Sequence, residues 1–213
     1  EDDFKDVENG VLKDGVPKQT FTAKVRPGDI KYVDLDKNGF IDTYDQMAIG
    51  GTENPEIVYG FGVNLRWKEL DFGAMFQGIG RTWRILSSNI MPASNKGSMY
   101  NIFDNYQDRW TVDNQSQDVF YPRADYGPNA NNSQKSTWWL RNMSFLRLKN
   151  LELGYSCPKK WLQGFVISNA RVFVRGTNLL TFSKFNLWDP ELATGDGAKY
   201  PAMKSVSVGF DIT

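Results

Sequence analysis

The sequence predicts an all-β fold: an antiparallel segment of a transmembrane β-barrel with long loops on one side. Three observations predict it. Five stretches alternate with period two between apolar and small or polar residues, and none sustains a helical period. No apolar run approaches the length of a membrane helix, a limit that barrel strands escape because they alternate. The connections between the five stretches alternate short and long, as in up-and-down membrane barrels.

Residues 1–33 are polar and punctuated by Gly and Pro, and "QTFTAKV" and "DIKYVD" read as short strands around the Pro27–Gly28 turn. After the loop "GGTENPE", the first strong strand runs from Ile57 to Trp67. Its odd positions, Ile57, Tyr59, Phe61, Val63, Leu65 and Trp67, form an apolar face; Val58, Gly60, Gly62, Asn64 and Arg66 lie opposite. Lys68-Glu69 turns the chain, and Leu70, Phe72, Ala74, Phe76 and Gly78 continue that face on the second strand. A long irregular stretch, 82–137, separates this hairpin from the third strand, expected over "STWWLRNMSFLRLKNLELGY". There Leu146 and Leu148 have one parity, and Leu151, Leu153 and Tyr155 the other, so a bulge near Asn150 is expected. A medium turn over 158–168 leads to "ARVFVRGTNLLTF", and a loop over 183–203 leads to "SVSVGFDIT". In the last strand Val206, Val208, Phe210 and Ile212 share a face.

Alternation alone also suits a soluble β-sandwich. The length of the first two strands favours the membrane reading, as do Tyr59 and Trp67 near the ends of an aliphatic band, where an aromatic girdle lies. With short turns inside and long loops outside, the last strand ends at the periplasm.

Charge and composition remove several function classes. Lys plus Arg number 25 and Asp plus Glu 25, so there is no basic excess for nucleic acid. Histidine is absent, which removes His-based catalysis and nearly all zinc-enzyme arrangements. The single cysteine, Cys157, reads as a packing residue. The acidic, polar start of the chain does not read as a signal peptide. No carboxylate pair, nucleophile or phosphate loop stands out, so no catalysis is expected.

Residues 34–45, "DLDKNGFIDTYD", have the spacing of a calcium loop. The ligand positions fall on Asp34, Asp36, Asn38, the carbonyl of Phe40, Asp42 directly or through water, and Asp45, with Gly39 at the sharp turn. The last ligand is Asp where Glu is usual, as in dockerin-type modules, and its shorter side chain requires a tighter loop. The expected cofactor is calcium and its role structural; the bland alternative is a solvated Asx-rich turn.

Trp83, Tyr100, Trp110, Tyr121, Trp138 and Trp139, in or beside the long loop, are candidates for stacking on substrate, as are Tyr106 and Tyr126. The competing expectation is that these rings pack the loop against itself, since aromatics bury large areas wherever they can. Arg66, Arg171 and Arg175 are expected to face the barrel lumen.

"PGDIKYVDLDKNGFID", "PEIVYGFGVNLRWKELDFGAMFQGIG", "DRW", "SFLRLKNLELGYSCPKKWL", "RVFVRGTNLLTFSKF" and "DPE" occur in an order that resembles the C-terminal part of SusC/RagA-type TonB-dependent outer-membrane transporters. The resemblance covers nearly everything from Pro27 onward. It implies a barrel of about 22 strands, of which this chain is a piece. It also implies a plug and a TonB-contacting segment outside this chain, and a SusD-like surface lipoprotein as partner. The location implied is the outer membrane of a Gram-negative bacterium, with lipid around the wall and extracellular loops; the cargo implied is glycans or oligopeptides. Family members usually end in an aromatic residue after the last strand, and here Thr213 stands there. The alternative reading is a soluble, calcium-stabilised carbohydrate-binding or dockerin-like module, although a dockerin normally has two calcium repeats.

Overall fold

The computed structural model describes residues 2–87, 103–125, 127, 129–164 and 166–213. The chain forms two compact units, each built from separate stretches: residues 1–50 with 85–140, and residues 51–84 with 141–213.

The second unit is a five-stranded antiparallel sheet. Its strands are β1 (Ile57–Trp67), β2 (Leu70–Gly80), β3 (Phe145–Ser156), β4 (Ala170–Ser183) and β5 (Ser205–Ile212). They lie in the order β5-β4-β3-β2-β1, so neighbours in sequence are neighbours in space. The β1–β2 ladder runs without a break from Ile57↔Gly80 to Trp67↔Leu70. This requires a two-residue turn, and Lys68 accordingly takes a left-handed φ of 55°.

The expected bulge is present, at Lys149. Met75 pairs with Asn150 and Phe76 with Leu148, so Lys149 has no partner on β2. On the other side β4 answers with two extra residues, between Thr177↔Asn150 and Leu180↔Leu148, and Asn178 takes a φ of 55°. One skipped residue reverses the parity of β3, while two leave that of β4 unchanged. Leu146 and Leu148 therefore join Leu151, Leu153 and Tyr155 on one face.

That face is apolar across all five strands and mostly exposed, with Ala74 and Leu148 buried near its centre. Phe61, Val63, Leu65, Phe182, Val206, Val208, Phe210 and Ile212 are all exposed. Apolar patches of this extent are rare on monomeric soluble proteins.

The opposite face is mostly polar, Val58, Met75, Ile79 and Phe173 apart, and is cross-linked by charge. Arg171 on β4 bonds Asp71 on β2, Glu152 on β3 and Asp211 on β5, and Arg175 shares Glu152 at 2.6 Å. The two guanidiniums stack over the Phe173 ring, 5.0 and 5.2 Å from its centroid. Gly209 opposite leaves room for that ring, which a Cβ there would strike. Arg171 and Arg175 thus stand on the polar face, as does Arg66, which pairs in register with Asp71.

The loop after β4 folds onto the same polar face. Arg147, opposite Gln77 and Thr181, is almost fully buried between Asp189 and Glu191, and Lys149 adds a bond to Glu191 at 3.1 Å. Asp189 also caps the one-turn 3-10 helix Pro190–Leu192 by accepting from the Glu191 N–H at 3.0 Å.

The first unit has little regular structure. Its core comprises Val25, Ile30, Ile41, Leu86, Tyr121 and Trp139. The strands expected over "QTFTAKV" and "DIKYVD" are reduced to Lys18–Gln19, which pairs in parallel with Phe40–Ile41. Side chains replace the ladder further on. The Ile30 N–H donates to Asn132 Oδ1 at 2.9 Å, the Ile30 carbonyl accepts from Asn131 Nδ2 at 2.9 Å, and the Tyr32 hydroxyl donates to the Asn131 carbonyl at 2.6 Å. Asp29 ties the two stretches together, accepting from Asn129 and Asn132 and pairing with Arg123 at 2.7 Å. Burial here pushes the Tyr32 phenol above its usual range.

Candidate functional site

The loop 34–45 folds around three carboxylates. One oxygen from each of Asp34, Asp36 and Asp45 lies within 4.8 Å of the others. Like charges this close are held by backbone donors. Asp34 accepts from the N–H groups of Asn38 (3.2 Å) and Gly39 (2.8 Å), and Asp36 from Asn38 N–H (3.1 Å) and Nδ2 (2.9 Å). Asp45 accepts from Asp42 N–H at 2.9 Å and from Leu35 N–H at 2.7 Å. Those two donors hold its carboxyl below the ordinary aspartate range.

The bond to Leu35 draws the last side chain of the loop inward. Asp45 closes the loop onto its first turn, which brings its carboxylate beside Asp34 and Asp36. The turn needs left-handed backbone at Lys37 (φ 60°) and Gly39 (φ 87°). Asn38 Oδ1 accepts from Phe40 N–H at 2.8 Å.

Two features fix the loop to its unit. Ile41 is 1% exposed and anchors the loop in the core. The carbonyls of Gly39 and Ile41 accept from the N–H groups of Lys18 and Thr20, at 3.0 Å each. Successive carbonyls of an extended chain point to opposite sides, so that of Phe40 points away from this ladder. Asp42 lies outside the three-carboxylate cluster and accepts from Tyr44 N–H at 2.7 Å. An oxygen-only donor set with three carboxylates suits a hard cation of the calcium type and does not suit a soft one.

The aromatic candidates divide. Tyr121 and Trp139 are about 1% exposed and pack on Phe120 and on each other, so they build the core and present no face for stacking. Tyr106 packs on Tyr121. Trp83, half-buried, lies against Gly51. Trp110 and Trp138 line a cleft of about 550 Å³ in the first unit, with Phe4, Tyr32, Gln19 and Gln115. The cleft depends on Gly28, whose positive φ of 86° and missing Cβ let the Trp110 ring lie against the backbone. Tyr100 and Tyr126 lie outside the described residues.

Two groupings escape sequence reasoning, the Asp29 hub and the Arg147–Asp189–Glu191 cluster. Both join residues far apart in the chain. The only local signals are the run "NANN" at 129–132 and the Asp-Pro-Glu cap at 189–191.

No known-family profile matches the chain. TonB-dependent receptor P26 of Formosa agariphila is 31% identical over 201 residues, covering 87% of this chain and 20% of that receptor. TonB-dependent receptor SusC of Bacteroides thetaiotaomicron is 24% identical over 203 residues, 92% of this chain and 19% of SusC. Among solved structures, the RagAB peptide importer in its 'closed-closed' state matches with a TM-score of 0.64 at 34% identity, over 85% of this chain and 20% of that one. Its 'open-open' state gives 0.64 at 32% identity, again over 85% and 20%. The chain spans about one fifth of the length of these relatives. By name they are receptors and importers, not enzymes.

Proposed function

The chain belongs with the SusC/RagA-type TonB-dependent receptors, as a C-terminal portion of one, and we propose that it forms part of the wall and outer loops of an outer-membrane importer. The observation that carries this reading is the bare apolar face spanning all five strands, backed by a face of ion pairs and glycines. In lipid the first face needs no protein cover, and the second lines a water-filled interior. The edges β1 and β5 pair with strands from the rest of the receptor, because open edges are costly in a bilayer.

In this reading the short turn at 68–69 and the turn 157–169 face the periplasm, and the long loops lie outside the cell. The 34–45 loop binds calcium through Asp34, Asp36, Asn38, the Phe40 carbonyl and Asp45, with Asp42 contributing directly or through water. The ion stiffens the loop rather than reacting. Trp110 and Trp138 contact the cargo, a glycan or oligopeptide delivered with a SusD-like lipoprotein. TonB acts through parts of the receptor beyond this chain.

Cysteine labelling of the full-length receptor in membranes tests the wall assignment. In a Cys157→Ser background, Asn64→Cys should react with a water-soluble maleimide and Val63→Cys should not. Equal labelling, or a receptor that is monodisperse in buffer without detergent, would favour a soluble module instead.

A further inference from the structure

One row of the apolar face crosses all five strands in register: Trp67, Leu70, Tyr155, Val172 and Phe210. Immediately beyond it lie the two short connections, 68–69 and 157–169. Their charged residues are Lys68, Glu69, Lys159 and Lys160, three positive and one negative. Among the described residues none of these lysines forms an ion pair. Lys68 instead lies over the Trp67 ring, 5.0 Å from its centroid. Lys159 and Lys160 share the short helix Lys159–Leu162 with Trp161, which is 66% exposed.

The far end of the same hairpin is different. There Arg81 pairs with Glu56 at 2.9 Å and Arg84 with Glu53 at 2.6 Å. One end of the hairpin therefore neutralises its charges internally. The other end, taken with the neighbouring 157–169 connection, leaves an excess of cations directly past an aromatic and aliphatic band.

We propose that this rim is a docking edge for anionic phospholipid headgroups, with Lys68, Lys159 and Lys160 holding lipid phosphate. Trp67, Tyr155 and Trp161 sit at the boundary between headgroups and acyl chains. The inference rests on the membrane reading above, and two features select this occupant. The lysines continue the lipid-facing band, and their unpaired charge has the sign that a phospholipid phosphate complements. The lysine stems lie along apolar surface while their ammonium groups reach the headgroups. Each lysine near an anionic surface strengthens binding about fivefold, an effect that salt weakens.

The test counts lipids retained by the full-length receptor. The receptor is held in neutral detergent, given phosphatidylglycerol or phosphatidylcholine, and examined by native mass spectrometry. Wild type should retain phosphatidylglycerol about a hundredfold over phosphatidylcholine, from the three lysine contributions combined. The triple variant Lys68→Gln, Lys159→Gln, Lys160→Gln should lose that preference, and the corresponding triple arginine variant should keep it. The single changes Lys159→Gln and Lys160→Gln should each lower it about fivefold, which covers the case in which the triple variant fails to fold. Undiminished retention by the glutamine variants overturns the proposal. Full displacement of the lipid by an equal concentration of inorganic phosphate overturns it too, by making the rim a general anion site. The Val63 and Asn64 labelling contrast, repeated on these variants, separates the two readings. If it vanishes, the membrane wall is wrong; if it persists without lipid preference, only the docking edge is wrong.

Discussion

Arg171 on β4 reaches over Gly154 of β3 to hold Asp71 on β2 by two parallel bonds, Nε to Oδ1 at 3.0 Å and Nη2 to Oδ2 at 2.5 Å. The intervening strand must be bare for this to happen. A Cβ at Gly154 would lie 2.6 Å from both Arg171 Nε and Asp71 Oδ1. Gly154→Ala should therefore displace the bridge that staples non-adjacent strands and cost about 1–3 kcal/mol. Urea unfolding of the full-length receptor in vesicles measures this. The loss should be much smaller in an Asp71→Asn background, where the two-toothed bond is already gone. Equal losses in both backgrounds would mean that the glycine serves some other purpose.

The acidic loop should depend on the carboxylates that converge. Asp34→Ala and Asp36→Ala should each abolish calcium bound to the purified receptor, read by elemental analysis. Asp45→Ala should do the same and also loosen the loop, because Asp45 holds the Leu35 and Asp42 N–H groups. Asp42→Ala should weaken binding less, since it stands outside the cluster. Stoichiometric calcium in the Asp34→Ala, Asp36→Ala double variant would refute the site.

Charge on the bare face should be costly in proportion to depth. Val63→Lys, mid-strand, should destabilise the receptor in vesicles by about 2–4 kcal/mol. Asn64→Lys, one residue away on the polar face, should be close to neutral. Similar costs at both positions would contradict a lipid-facing band.

Arg147 is 2% exposed at its side chain and depends on two acidic partners in one loop. Asp189→Ala removes one of them and the cap of the 190–192 turn, leaving a buried guanidinium short of a partner. The expected loss is about 3 kcal/mol, together with faster proteolysis of the 184–200 loop. Glu191→Ala, which removes the more exposed of the two carboxylates, should cost less. Protease resistance equal to wild type in both variants would show that the loop is held by other contacts.

The two kinds of site were unequally legible in the sequence. The three-carboxylate cluster was readable because its residues lie within twelve positions and the loop geometry is local, set by Gly39 and the Asx side chains. The strands were readable for a similar reason, since alternation is a property of consecutive residues. Only the phase at Lys149 required the neighbours β2 and β4 to decide which residue is left out. The "DIKYVD" strand failed because Asn131 and Asn132, about a hundred residues away, take over the hydrogen bonds that a ladder would supply.

By itself the sequence determined the five strands, which side of each is apolar, and where the acidic loop lies, because period and spacing are written in neighbouring residues. The tertiary structure alone decided which charges meet. Arg171 finds Asp71 across a glycine, Arg147 finds Asp189, and Asp29 finds Arg123, each through chain reversals that no local pattern encodes. It also separated the aromatics, placing Tyr121 and Trp139 in a core and Trp110 and Trp138 along a cleft. The physical reason is that an aromatic ring gains from burial wherever space allows, and only packing shows where the space is.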